Sequence, residues 1–328
     1  MIIKLKPTRV FRTYFGGKNI DSLMGKSNAE NGRFPEDWLG SVTRAFNPGR
    51  EVENEGLSLT SDGRVLRDVI EADKLKMIGK RDKMTLLFKL LDAAERLVIQ
   101  AHPTNEFARK YFNSEFGKTE CWYILNDGGY VYIGFKEGIT KGYWKNLFEK
   151  QDTEGMLACL HRFGVKKGDF IFVPGGVPHA IGKGCFLAEL QEPSDLMVVP
   201  EKVTPSGVEL SEQKLHGGLG FEEMFNCFLY DGMSEETAYG KFFRKPVHIC
   251  DNIDVIVDDN ITDKFSLWKI NVCGKYGLKM PSYGICVIID GYGKLNSAKF
   301  SAGDRFFVSE SQKNISIAGD AEILICMP

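Results

Sequence analysis

Four side chains with metal-binding chemistry stand in three short segments: Gln100-Ala-His102-Pro103, Gly117-Lys118-Thr119-Glu120 and Pro174-Gly-Gly-Val-Pro178-His179. Two neutral imidazoles, one amide oxygen and one carboxylate would leave a divalent ion with about one net positive charge, so the ion would stay a Lewis acid. No cysteine joins the set. That argues against a closed structural zinc site and leaves a position for water or a substrate hydroxyl. Taken singly, each histidine would read as a core or surface residue; the combination is what points to a metal.

The elements around these residues must bring them together. In an extended run over residues 98–102 side chains alternate between faces, so Gln100 and His102 project from one side and Pro103 ends the run. Glu120 opens an apolar stretch that continues to Leu125, and His179 follows a turn-forming stretch rich in Pro and Gly. Each ligand is thus expected at a strand end, where a barrel mouth could gather all four. Residues 67–92 place Leu86, Leu87, Leu90 and Leu91 at helical spacing and lead into the metal strand. Residues 105–112 predict a short helix, and 143–163 two helices divided near Asp152-Thr153. The first 65 residues read as irregular with short strands, because Gly and Pro recur through them.

From Asp169 onward the pattern is β, and after about residue 244 it consists of short segments at 255–257, 265–272, 285–290, 305–308 and 322–327. Gly303-Asp-Arg-Phe-Phe-Val308 echoes Gly168-Asp-Phe-Ile-Phe-Val173, which predicts two related β jelly rolls, one over 1–244 with helical insertions and one over 245–328. No histidine follows His248, so only the first is expected to carry a metal.

The chain has 328 residues, 43% of them hydrophobic and 23 of them Phe, enough for one large core or two smaller ones. Its 42 basic and 44 acidic residues nearly cancel, which gives no electrostatic reason to expect nucleic acid or an anionic membrane and favours a small-molecule partner. The eight cysteines form no Cys-x-x-Cys pair, and neither a signal peptide nor an apolar run of membrane-spanning length is evident. Reduced thiols and a cytoplasmic location are expected.

In this order the segments resemble the type I phosphomannose isomerase (mannose-6-phosphate isomerase) family, cupin-fold zinc enzymes that interconvert mannose 6-phosphate and fructose 6-phosphate. The likeness begins at Phe11-Arg-Thr-Tyr-Phe-Gly-Gly17 and Glu36-Asp-Trp-Leu-Gly-Ser41. It continues through Leu86-Leu-Phe-Lys-Leu-Leu-Asp-Ala93 and the three metal segments to Glu189-Leu-Gln-Glu-Pro-Ser-Asp195. It implies a mainly β fold with two cupin-like units and a small helical segment. It also implies one zinc ion per chain, held by Gln100, His102, Glu120 and His179. Glu189 would be the base that moves a proton between adjacent sugar carbons through an enediolate, Lys118 an ammonium beside the metal, and Lys89 a substrate contact at the phosphate end. His161 and His216 match no motif and read as structural or exposed.

Two departures stand against this likeness. Val199 occupies a position where the family usually has an arginine, and Val98 one where many members have a serine. A guanidinium lost from a phosphate site would cost about 1.5–3 kcal/mol per charged hydrogen bond. By sequence, Lys202 or Arg244 are the nearest candidates to compensate. The alternatives are a catalytically weak or inactive sugar-binding cupin, or an isomerase for a different aldose; oligomeric state is left open.

Overall fold

The computed structural model describes residues 1–50 and 52–328. Strands take 36% of the residues and helices 19%, so sheets carry the fold and helices fill its insertions, as expected. The strands run β1 (Ile2–Lys4), β2 (Arg9–Val10), β3 (Glu36–Leu39), β4 (Leu87–Asp92), β5 (Glu120–Ile124) and β6 (Gly129–Phe135). Then follow β7 (Leu160–Val165), β8 (Phe170–Val173), β9 (His179–Ile181), β10 (Phe186–Gln191) and β11 (Phe243–Arg244). The remaining chain adds β12 (Val247–Cys250), β13 (Ile253–Val257), β14 (Ser266–Lys279), β15 (Gly284–Leu295), β16 (Ala298–Ser301), β17 (Arg305–Val308) and β18 (Asn314–Met327).

Seven strands in the order β11-β8-β5-β10-β4-β3-β2 form the sheet that bears the site. Every residue of its central strands β4, β5 and β10 is buried, because both faces are covered. On one face Leu91, Trp122, Ile124, Ile171, Val173 and Leu187 pack against Val131, Ile133, Phe163 and Ile181 of the three-stranded sheet β7-β6-β9. On the other, Phe88, Leu90, Cys121, Tyr123 and Leu190 pack against Ile285, Val287, Phe307 and Leu324 of the C-terminal sheet. The register makes the first face chemical as well as apolar. Glu189 lies opposite Lys89 and Trp122, and Lys89 opposite Trp38, so these four side chains form one row across four strands.

The run around Leu86–Leu91 is therefore strand, where helical spacing suggested a helix. Leu86, Leu87, Phe88, Leu90 and Leu91 are a nearly continuous apolar run, which suits a strand buried on both faces as well as a helix, and the sheet decided between them. Helix in that region is confined to Leu66–Ala72 and Lys74–Ile78. The helix Asn105–Phe112 forms with Thr104 as its cap, accepting from the Phe107 N–H at 3.2 Å. Two helices, Lys141–Lys150 and Thr153–Ala158, divide at Asp152, which caps the second. Leu160 and Phe163 fall beyond them, in β7.

The C-terminal sheet runs β1-β17-β15-β18-β14-β13-β12, with β16 paired to β15. Its strands β14, β15 and β18 are much longer than the short segments the sequence suggested. Glycines lie inside them: Gly319 pairs with Gly274 on one side and Gly293 on the other. A Cβ at Gly319 would come within 2.2 Å of the Tyr292 carbonyl oxygen, so the strands close on one another there only with glycine. The repeated Gly-Asp segments do correspond, since Gly168 and Gly303 both have positive φ and lead into β8 and β17. β1 pairs with β17, so the chain begins in the C-terminal sheet. A buried ion pair, Arg305 Nη1 to Asp37 Oδ2 at 2.7 Å, joins β17 to β3.

Candidate metal centre

Gln100 and His179 lie directly opposite each other in an isolated antiparallel bridge, each N–H donating to the other's carbonyl at 2.9 Å. Opposed residues of such a pair project from the same side, so one backbone contact puts both side chains on one face. The extended segment expected at 98–102 is thus present, held by two isolated bridges, the second between Ala101 and Val198. Glu120 enters from the start of β5, opposite Gln191.

Both imidazoles are held by backbone carbonyls. His102 Nδ1 donates to the Leu196 carbonyl and His179 Nδ1 to the Val177 carbonyl, each at 2.9 Å. A carbonyl only accepts, so the proton sits on Nδ1 and each Nε2 presents a bare lone pair. Those lone pairs converge on Glu120, with His102 Nε2 3.2 Å from Oε2 and His179 Nε2 3.4 Å from Oε1. Trp122 Nε1 donates to Glu120 Oε1 at 3.0 Å and fixes the carboxylate's rotation. One ligand atom from each of His102, Glu120 and His179 lies within 4.8 Å of the others. Among the described residues this is the only such group of His, Cys, Asp or Glu.

Electrostatics favour the coordinating forms. Burial lowers His102, helped by the Lys118 ammonium, and burial pushes His179 down to about 3, so both rings are neutral near pH 7. Burial alone would raise Glu120, but the Lys118 ammonium beside it holds the carboxyl well below its usual range. His179 Nε2 and Glu120 Oε2 are fully buried and make no hydrogen bond to the described residues. An unpartnered acceptor such as His179 Nε2 is costly in a protein interior, and a bound cation would satisfy it together with the Glu120 carboxylate. The Lys118 ammonium already occupies the positive corner, 2.9 Å from Glu120 Oε2 and 3.0 Å from His102 Nε2. The donor set fits a divalent ion.

Alternating charges lead from this centre along a cleft. Lys118 is 3.7 Å from Glu189, Glu189 3.1 Å from Lys89, and Lys89 3.8 Å from Glu36. Arg12 then bridges Glu36 at 2.8 Å and Asp195 at 3.1 Å. Burial raises the Glu189 carboxyl above the ordinary range, with Lys89 opposing. The cleft, about 700 Å³ with its open mouth, is lined by Gln100, Lys118, Lys89 and Glu189, and its wall includes Val98 and Val199. Lys118 links this cleft to the centre, since its ammonium touches both His102 and Glu120.

Neither sequence candidate for a compensating cation reaches this cleft. Lys202 stacks over Phe148, 5.1 Å from the ring centroid, and Arg244 is exposed on the two-residue strand β11. His161 and His216 are structural: His161 Nε2 lies 2.9 Å from the Met233 carbonyl, and His216 Nδ1 accepts from the Gly218 and Gly220 N–H groups at 3.1 Å. The sequence reading missed Arg12, Glu36, Asp195 and Lys214 as cleft residues. Their signal was charge inside otherwise apolar or aromatic motifs, as in Phe11-Arg12-Thr-Tyr14 and Glu36-Asp-Trp38. Tyr14 Oη and Trp38 Nε1 both donate to Glu36, at 2.9 and 2.7 Å.

Comparison with known proteins agrees with this geometry. The family described as "Phosphomannose isomerase type I, catalytic domain" matches residues 15–121. The mannose-6-phosphate isomerase ManA of Bacillus subtilis (strain 168) is 29% identical over 254 residues, 74% of this chain and 75% of that protein. The mannose-6-phosphate isomerase of Streptococcus mutans is 36% identical over 146 residues, 43% of this chain and 45% of that protein. The crystal structure of the mannose 6-phosphate isomerase from Bacillus subtilis superposes with a TM-score of 0.79 at 24% identity, covering 100% of this chain and 99% of that one. A putative mannosephosphate isomerase from Archaeoglobus fulgidus superposes at 0.75 with 20% identity, covering 99% and 96%. At these identities the structural likeness is one of fold, and the fold is cupin-type.

Proposed function

We propose that this chain is a type I phosphomannose isomerase that interconverts mannose 6-phosphate and fructose 6-phosphate with one zinc ion held by Gln100, His102, Glu120 and His179. The observation that carries this reading is the convergence of two Nδ1-anchored imidazoles on one buried carboxylate at the end of a charged cleft. Two nitrogens and carboxylate and amide oxygens suit zinc, which would supply a Lewis acid beside the sugar oxygens.

The chain's own residues supply the proton chemistry. Isomerisation moves a proton between C1 and C2 through an enediolate, which needs a base that can also return the proton. Glu189 suits that role, since burial lifts its carboxyl toward the working pH range while Lys89, 3.1 Å away, keeps the ionised form accessible. Lys118, 3.7 Å from Glu189, presents an ammonium where negative charge builds on the substrate oxygens. Lys89 lines the same cleft as a substrate-binding cation. Val199 and Val98 make the wall beside them apolar, so the substrate's anionic end must be met by other groups.

One observation favours a second reading, sugar binding with little or no turnover: Val199 is fully buried on the cleft wall and offers no charge to a phosphate. A coupled assay for fructose 6-phosphate from mannose 6-phosphate, run with chelator and with zinc restored, separates the two. Metal-dependent turnover supports the isomerase. Bound zinc without turnover on mannose 6-phosphate or on a panel of other aldoses supports the binding protein. Among the described residues no helix is long and apolar enough to cross a membrane, and the eight cysteines are all unpaired. The free thiols support a reducing, cytoplasmic setting.

A further inference from the structure

Five cations line the cleft, and four of them already face a carboxylate. Arg12 is paired with Glu36 and Asp195, Lys89 with Glu189 and Lys118 with Glu120. Arg96 is gripped at both ends by Glu201, at 2.6 and 2.8 Å. Lys214 is the exception. Among the described residues no carboxylate comes within 4.0 Å of its ammonium, which donates to the Phe46 carbonyl at 3.2 Å. The side chain is half-buried, so water screens the charge only in part.

Lys214 is held in place by backbone. It sits in the short helix Glu212–His216, and the Val199 N–H donates to the carbonyl of the next residue, Leu215, at 2.8 Å. The apolar wall at Val199 and the unpaired ammonium are thus neighbours on the same cleft. Burial brings the ammonium down to about 8, with Arg12 and Lys118 adding to the fall and the more distant carboxylates of Asp195 and Glu36 opposing it without outweighing burial. A phosphate dianion would supply counter-charge, with the Arg12 guanidinium on the same wall.

We infer that Lys214 is the cleft's phosphate-binding cation and the residue through which this chain prefers a phosphorylated sugar over a neutral one. The inference rests on the reading of the cleft as a sugar-phosphate site. Its test is arranged so that the two can fail separately.

The zinc-loaded protein and its Lys214→Met, Lys214→Gln and Lys214→Arg variants are titrated with inorganic phosphate by calorimetry, and KM for mannose 6-phosphate is measured on the same samples. Loss of one charge-assisted bond predicts phosphate affinity about 10- to 100-fold weaker in the Met and Gln variants, a matching rise in KM, and recovery to within a few-fold in the Arg variant. Melting curves verify folding, and the two neutral variants guard against the failure of either. If wild type turns over no mannose 6-phosphate yet loses phosphate on Lys214→Met or Lys214→Gln, the isomerase reading falls and this inference stands. Wild-type protein that binds no phosphate, or neutral variants that bind it as tightly as wild type, would overturn the inference.

Discussion

The Lys118 ammonium stands 3.0 Å from Nε2 of His102, on the side of the ring where that nitrogen's lone pair is aimed. The same ammonium contacts Glu120 Oε2 at 2.9 Å. Two of the proposed metal ligands therefore share a cation with the neighbouring strand segment, and the bound ion and Lys118 compete for the same negative corner. Lys118→Met should bind zinc at least as tightly as wild type while losing about 100-fold or more in turnover, because charge stabilisation is removed and the ligands are not. Metal content and kcat measured together check this. Loss of zinc along with activity would mean that Lys118 supports the ligands.

Removing a ligand acts on both metal and stability. His102→Ala or Glu120→Ala should abolish zinc retention and activity. For wild type, free zinc at 100 times its dissociation constant should stabilise the fold by about 2.7 kcal/mol, so chelation should lower the melting temperature measurably. A melting temperature indifferent to chelator, in protein verified to contain the ion, would contradict placement of the ion among these buried groups.

Glu189→Gln keeps the shape of the side chain and removes the base. Turnover should fall by about 100- to 10,000-fold with zinc content unchanged. Exchange of the substrate C2 proton with solvent should vanish with it. Exchange that persists would place the base elsewhere in the cleft.

Phosphate binding should weaken at alkaline pH. The protonated form of Lys214 is the one that attracts an anion, and its ammonium titrates near 8, well below the ordinary lysine value. The charged groups around it hold their state across this range: Asp195 and Glu36 are kept low by Arg12, while Arg12 and Lys118 are kept high by carboxylates that outweigh burial. Above about pH 8 the dissociation constant for inorganic phosphate should therefore rise by up to about tenfold per pH unit, and Lys214→Arg should flatten the curve because a guanidinium keeps its proton.

The Arg305–Asp37 contact holds the two sheets together from inside, with both side chains almost fully buried. Breaking it from one side strands a charge. Arg305→Met or Asp37→Leu alone should cost about 3–5 kcal/mol, read from denaturant melts, and the double variant should recover much of that loss.

Sequence alone supplied the candidate ligand set and the local grammar around it. The types and spacing of Gln100, His102, Glu120 and His179, the helix over 105–112, the break near Asp152 and the lack of histidine beyond His248 depend on residues close along the chain, so they were legible. The convergence of three of those four around one point then followed in the structure. Tertiary pairing decided the rest. Whether Leu86–Leu91 became strand or helix, and whether Gly274, Gly293 and Gly319 ended strands or lay within them, depended on the partners each segment met. The charged floor of the cleft is the clearest case, because Lys89 and Glu189 stand 100 residues apart and became neighbours only through the β4–β10 register. A buried charge is tolerable only beside its counter-charge, and local periodicity holds no record of which distant residue supplies it.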